Sequence, residues 1–333
     1  MNTTRELAIL AAAAGGAALI LTVIFGFILL PILRHFKLGQ PIRAEGPVWH
    51  KTKEGTPTMG GICFILAFLL SVAGYAIYRA LRGEGRELVP LALAVLYALG
   101  NAAIGFIDDY CKLIRKQNEG LSEGQKLLLQ LVLAAAFLAM LRATGHLETS
   151  LRIPFTDYRL ELSWFSYPVY LLVMLGVVNA TNLTDGLDGL ASSVCATVAA
   201  FMLLLAVSRL DADSTVLSVA LLAGVLGFLV FNHYPAQMFM GDTGSLFLGG
   251  VIIGVAMMMG ELLLFVLAAF VFVMDMLTSF LQRAYFKLSH GKRIFPIAPI
   301  HHSFEKWGFS EYGIMALFSG VSVVFCVLAW LGR

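Results

Sequence analysis

The sequence predicts an all-α, polytopic membrane protein of about ten transmembrane helices with both termini outside. Three observations lead there. Of the 333 residues, 59% are hydrophobic and only 13% are charged, against about 25% charged in soluble domains. The apolar residues lie in long uninterrupted blocks, and a bilayer span needs about 20 of them. Finally, all nine lysines fall in alternate loops between those blocks. The chain therefore reads as one integral membrane domain over 1–333.

The uncharged runs are 7–33, 59–78, 88–107, 127–141, 162–181, 189–208, 214–231, 243–260, 262–281 and 312–332. The first is 27 residues long, too long for the apolar core of a signal peptide, and is kept as a span. The fourth is short, but Ser122 and Gln125 form an S-x-x-Q capping pattern that starts its helix in the interface. The ninth is interrupted by Asp275. The Gly-Gly pairs at 15–16, 60–61 and 249–250 read as close-packing points between helices rather than ligand loops.

Ten spans make the loops alternate. Loops 34–58, 108–126, 182–188, 232–242 and 282–311 hold every lysine and five arginines; the other loops and the termini hold nine arginines. That 14 to 9 split assigns the lysine-bearing loops to the cytoplasm. A net charge of +2 and the lack of any nucleic-acid motif exclude a nucleic-acid partner. Cys63, Cys111, Cys195 and Cys326 have no CxxC spacing, so neither a disulfide framework nor a zinc site is expected.

The unusual polar residues all fall on that one face. Asp108 and Asp109 follow span 3. Asn179, Asn182, Asp185 and Asp188 lie between spans 5 and 6; Asn232, His233 and Asp242 lie between spans 7 and 8; His301 and His302 lie between spans 9 and 10. Acids in short loops with apolar flanks are costly unless they meet water, a cation or a ligand. Asp185 and Asp188 would share a face of a helical turn opening span 6, with Gly186 and Gly189 allowing close approach to a ligand. Asp242, between Gly241 and Gly244 at the entrance of span 8, can reach a metal. Phe239 offers a stacking surface, or an interfacial anchor. Lys53, beside a Gly/Pro turn, and Lys112 are candidate phosphate binders. For Asp275 the preferred reading is a buried partner for Thr278, Ser279 or a neighbouring helix.

The stretches GTPTMGG (55–61), GFIDDYCK (105–112), NATNLTDGLDGLA (179–191), FNHYPAQMFMGDTGSLFLGG (231–250) and RIFPIAPIHHSFE (293–305) resemble the bacterial phospho-N-acetylmuramoyl-pentapeptide transferases. This is a branch of the polyprenyl-phosphate sugar-1-phosphate transferases. The resemblance covers nearly the whole chain in order. One departure stands out: the family's third consecutive histidine is Ser303 here, which leaves His301 and His302 as the imidazoles.

The resemblance implies transfer of phospho-N-acetylmuramoyl-pentapeptide from its UDP-linked donor to undecaprenyl phosphate, with release of UMP and a requirement for Mg²⁺. It implies a multi-pass protein of the bacterial plasma membrane, surrounded by membrane lipid, with its site facing the cytoplasm, and a homodimer. Under it, Asp242 is the leading Mg²⁺ ligand, Asp108 activates the lipid phosphate, and Asp109 positions that phosphate or assists the metal. Lys53 and Lys112 contact phosphates. Asn179, Asn182, Asp185, Gly186, Leu187, Asp188, Asn232 and Phe239 hold the nucleoside side of the donor, and His301 and His302 its phosphate or sugar side. A covalent aspartyl intermediate is the rival mechanism. The rival functions are a transferase of the UDP-N-acetylglucosamine type, a transporter and a membrane scaffold. A transporter would carry its site near the midplane between repeats, and a scaffold gives no reason for the acids and histidines to share a face.

Overall fold

A computed structural model describes residues 3–35, 55–115 and 120–333. Its helices are α1 (Thr3–His35), α2 (Gly61–Leu81), α3 (Val89–Arg115), α4 (Glu123–Ala143), α5 (Ser166–Thr184), α6 (Leu190–Ser208), α7 (Ala212–Asn232), α8 (Gly241–Met258), α9 (Leu262–Ala268), α10 (Phe270–Leu288), α11 (Ile300–Lys306) and α12 (Glu311–Leu331). Among the described residues nine helices are long and apolar enough to cross a membrane. The pair α9 and α10, bent by 77°, supplies a tenth when taken as one broken span. The predicted all-α class and span count hold.

The bundle is built around α8. Every residue from Thr243 to Met257 is buried, as expected for a helix that is apolar on all sides. Small residues let its neighbours approach. A Cβ added to Gly250 would lie 2.7 Å from Ala98 Cα on α3, one on Gly249 2.7 Å from Val178 Cα on α5, and one on Gly61 2.5 Å from Gly244 Cα on α8. The Gly-Gly pairs are therefore packing points, with one exception: Gly16 has nothing within 4 Å. Phe247 packs edge-on against Phe68 at 5.2 Å and tilted against Phe64 at 6.2 Å. By contrast α1 leaves Ile20, Ile24, Phe27 and Ile28 exposed, a surface suited to lipid.

Four features differ from the sequence reading. Helix α3 does not stop at residue 107 but runs to Arg115, so Asp108 and Asp109 are helical. No glycine or proline interrupts this stretch, and Lys112 pairs with Asp108 one turn back at 2.6 Å, a spacing that supports helix. The ninth span breaks after Ala268, leaving Asp275 in its second half. A short helix, α11, forms inside what reads as a polar loop. A two-stranded antiparallel hairpin, β1 (Ser150–Arg152) and β2 (Arg159–Glu161), forms in the loop before α5. The Ser122 capping box is present, with Gln125 N donating to Ser122 Oγ at 3.2 Å and Ser122 N to Gln125 Oε1 at 3.0 Å. All four cysteines are free.

The end of the bundle carrying the hairpin is tied by ion pairs. Buried Glu261 receives Arg152 at 3.1 Å and also pairs with Arg209. Arg79 reaches Asp213 at 3.0 Å and Glu87 at 2.7 Å. The other end carries the acids and histidines singled out above.

Candidate active site

Asp109 anchors the site from behind. Its buried carboxylate accepts the backbone N–H of Asp242 at 3.1 Å, that of Thr243 at 2.9 Å, and the Thr243 hydroxyl at 2.7 Å. These are first-turn donors of α8, which have no partner inside their own helix. A carboxylate there also complements the positive end of the helix dipole. The α8 entrance itself requires glycine, because Gly241 has φ +72° and a Cβ there would lie 2.5 Å from Asp109 Oδ2.

In front of that anchor, Asp108 and Asp242 share two ammonium groups. Lys112 Nζ lies 2.6 Å from Asp108 Oδ2 and 3.0 Å from Asp242 Oδ2. Lys126, from the first turn of α4, lies 2.6 Å from Asp242 Oδ2 and 3.3 Å from Asp108 Oδ2. The second Asp242 oxygen accepts Asn182 Nδ2 at 2.9 Å, and the same amide donates to Ser245 Oγ at 2.8 Å. Leu121 N caps Asp108 Oδ1 at 2.8 Å. Asp108, Asp109 and Asp242 each present an oxygen, all within 4.8 Å of one another. Such an all-oxygen set of hard donors fits Mg²⁺ chemistry.

The NLTDGLDG stretch is a turn rather than a helix start. Helix α5 ends at Thr184, and α6 begins at Leu190 after Gly189 in a left-handed conformation. Asp185 and Asp188 therefore do not share a helical face. Asp188 is buried and accepts Ala236 N at 2.8 Å, while its own N–H donates to Glu311 at 3.2 Å. Asp185 sits among other acids. Burial raises its carboxyl well above the usual aspartate range, and Asp242, Asp109 and Asp188 add to that.

The loop from α7 to α8 is held from both sides. Asn232 is buried, accepts Ser192 Oγ at 2.9 Å and donates to Met238 O at 3.1 Å. Phe239 N donates to Pro57 O at 2.8 Å, and Gly60 N to Phe239 O at 2.8 Å. The GTPTMGG segment is thus paired, backbone to backbone, with the segment that leads into Asp242. Asn179 Nδ2 donates instead to Gln130 Oε1 on α4 at 2.7 Å and to Leu175 O at 2.8 Å.

The histidines approach from α11. His301 Nδ1 lies 2.6 Å from Asp275 Oδ2, and both side chains are fully buried. His302 Nδ1 lies 2.7 Å from Glu305 Oε2. A Cβ on Gly186 would collide with His301 Nε2 and touch His302 Nε2 at 3.4 Å, so both imidazoles turn their far nitrogens to the 185–189 turn. Ser303, in place of a third histidine, closes the 297–303 loop by accepting Ile297 N at 3.2 Å and donating back to Ile297 O at 2.5 Å.

The fold thus gathers Asp108, Asp109, Lys112, Asn182, Asp185, Gly186, Leu187, Asp188, Asp242, His301 and His302 around one end of α8. Asn179, Asp188 and Asn232 spend side-chain hydrogen bonds on holding helices and loops. Lys53 lies outside the described residues. Sequence reasoning missed Lys126 as a site residue, although it lies one turn after the Ser122 cap on the lysine-rich side. Asp275 is the buried partner expected of it: Thr278 Oγ1 donates to Asp275 O at 2.7 Å, and the carboxylate meets a neighbouring helix, α11, at His301.

A helical membrane domain with paired acids, lysines and imidazoles at one end has the makings of an enzyme that handles anionic substrates. Residues 91–260 match the family model described as glycosyl transferase family 4. Residues 53–65 match signature 1 of the phospho-N-acetylmuramoyl-pentapeptide transferases. The chain is 42% identical over 311 residues to the protein of that name from Clostridium perfringens strain SM101, covering 93% of each. It is 40% identical over 310 residues to the one from Bacillus subtilis strain 168, again covering 93% of each. A relative of the same name from Listeria monocytogenes serotype 4b is 40% identical over 312 residues, with 94% of each covered. The chain belongs to the phospho-N-acetylmuramoyl-pentapeptide transferase family.

Proposed function

We propose that this protein transfers phospho-N-acetylmuramoyl-pentapeptide from its UDP-linked donor to undecaprenyl phosphate, releasing UMP, in the first membrane step of peptidoglycan synthesis. The observation that carries the chemical reading is the shared clasp of Lys112 and Lys126 on Asp108 and Asp242. The reaction brings a lipid phosphate against a diphosphate, two anions that repel. Ammonium groups held between carboxylates can turn toward incoming phosphate oxygens and offset that repulsion. Little base catalysis is needed, because a phosphate monoester with a second pKa near 6 is largely dianionic at neutral pH.

Asp242 and Asp108 are the residues proposed to hold Mg²⁺, with Asp109 beside them but tied to the α8 entrance. The metal would supply charge neutralisation for the diphosphate and the leaving UMP. Asp108 orients the lipid phosphate beside the Lys112 and Lys126 ammonium groups. The turn at 185–188 takes the nucleoside end of the donor, and Phe239, whose backbone is pinned on both sides, stacks on uracil. His301 and His302 meet the donor across Gly186. The site opens to the cytoplasm, as lysine segregation supports, in the bacterial plasma membrane, and the lipid-facing helices leave room for a homodimer.

The decisive experiment is transfer from UDP-N-acetylmuramoyl-pentapeptide to undecaprenyl phosphate by purified protein, with and without Mg²⁺. Lipid product and UMP in equal amounts, lost on chelation, are expected. Turnover of UDP-N-acetylglucosamine instead would move the chain to the neighbouring branch. A phosphorylated enzyme formed without lipid acceptor, and competent to complete the reaction, would replace direct displacement by a covalent route.

A further inference from the structure

We infer that Asp275 is a positioning residue that fixes His301 as its Nδ1–H tautomer, so that Nε2 stands as a hydrogen-bond acceptor toward the nucleotide-sugar donor at the Gly186 turn. This rests on the donor reading given above for that turn. Asp275 lies in the second half of the broken span, where a charge is costly without a partner. Its carboxylate reaches His301 twice: Oδ2 lies 2.6 Å from Nδ1, and Oδ1 accepts the His301 backbone N–H at 3.4 Å.

The chemistry of the pair follows from that contact. A carboxylate at hydrogen-bond distance from Nδ1 needs the proton on Nδ1, since two acceptors would otherwise face each other. In the neutral ring the lone pair then sits on Nε2. That nitrogen is buried and has no hydrogen-bond partner among the described residues, and it faces Gly186. An unmet acceptor held in a buried place calls for a donor from outside the chain, and an O–H or N–H of the nucleotide-sugar supplies one. The backbone around it is braced for this. Ile300 N donates to Thr278 Oγ1 at 3.1 Å, and Thr278 in turn donates to Asp275 O. Helix α11 is thereby stapled to α10 on either side of the pair.

A simple staple between α10 and α11 would use the same contacts, so the test must read the imidazole itself. In the ligand-free full chain, labelled with ¹⁵N-histidine in detergent, the resonances lost in His301→Gln identify this ring. We expect Nδ1 protonated and Nε2 bare. In Asp275→Asn, an amide that donates to Nδ1 reverses the tautomer. With it, kcat/KM for the UDP-linked donor falls about 10–100-fold, the scale of a lost carboxylate behind a functional histidine, while KM for the lipid phosphate stays put. The double variant Asp275→Asn/His301→Gln should be no worse than His301→Gln alone.

A proton on Nε2 in the wild-type protein overturns the inference even if Asp275→Asn does not fold. So does an Asp275→Asn defect spread equally over both substrates, or one that adds to the His301→Gln defect. If the tautomer is as expected but His301→Gln leaves donor kinetics unchanged, the donor assignment of the turn falls instead, and with it the purpose given to the pair.

Discussion

Asp109 on α3 receives the Thr243 backbone N–H at 2.9 Å and the Thr243 hydroxyl at 2.7 Å, so the first turn of α8 hangs on a side chain from another span. The preceding residue on α3, Asp108, faces Lys112 and Lys126. Adjacent acids on one helix therefore split their work, one holding the floor of the site and the other lining it.

Asp109→Ala should therefore cost stability as well as activity. It leaves buried donors of α8 without an acceptor, a loss of about 1–3 kcal/mol. It also lets Asp242 drift, and misplacement of about 1 Å costs on the order of 100-fold in rate. Thermal unfolding in detergent and transferase assays check both. An Asp109→Ala protein as stable as wild type would show that α8 is not capped from α3.

Lys126 is the residue that the sequence offered least reason to choose. Lys126→Met should lower kcat/KM by about 100-fold, the scale for removing one preorganised charge partner, and Lys112→Met should do likewise. A Lys126→Met enzyme within a few-fold of wild type would remove Lys126 from the clasp. Its cost in binding should appear with both substrates, since the ammonium lies between Asp108 and Asp242 rather than on one side.

Much of the fold was legible because the bilayer imposes it. Uncharged runs mark the spans, and the lysines mark one face. What stayed hidden was where helices continue past the apolar run. Asp108 and Asp109 read as loop residues because charge ends a hydropathic block, whereas hydrogen bonding and the Lys112 pairing carry the helix onward. The converse holds at Asp185 and Asp188, whose three-residue spacing suggests a helical turn, whereas α5 ends at Thr184 and left-handed Gly189 separates the turn from α6. Partners across the bundle were also invisible: nothing local links Asp275 to His301, 26 residues away, or Lys126 to Asp242. The match of resemblance to site was most informative where motifs meet in space, as GTPTMGG does with the Phe239 loop.

Asp185 gives a pH prediction with a definite sign. Its carboxyl is raised in the folded protein by burial and by Asp242, Asp109 and Asp188. An acid with a raised folded pKa binds its proton more tightly folded than unfolded, so it weakens the fold as pH rises above the ordinary aspartate value of about 4. Asp185→Asn should thus raise the unfolding temperature at neutral pH, and the gain should shrink toward pH 4. Unfolding curves of both proteins across that range provide the check. A variant less stable than wild type at neutral pH would mean that the folded state holds Asp185 as a paired anion.

Gly186→Ala tests the closeness of the two imidazoles to the donor turn. Gly186 does not need glycine for its backbone angle, since its φ is not among the positive ones. The methyl group would instead run into His301 Nε2 and touch His302 Nε2. His301 is held by Asp275 at 2.6 Å and cannot easily retreat, so the turn must move. Activity should fall by about 100-fold through lost alignment, with donor KM rising, and the unfolding temperature should change little because the turn is partly exposed. Gly16→Ala, where a Cβ meets nothing within 4 Å, is the matched control and should behave as wild type. Full activity in Gly186→Ala would separate the histidines from the donor, because no substrate group could then be sharing the space between them and the turn.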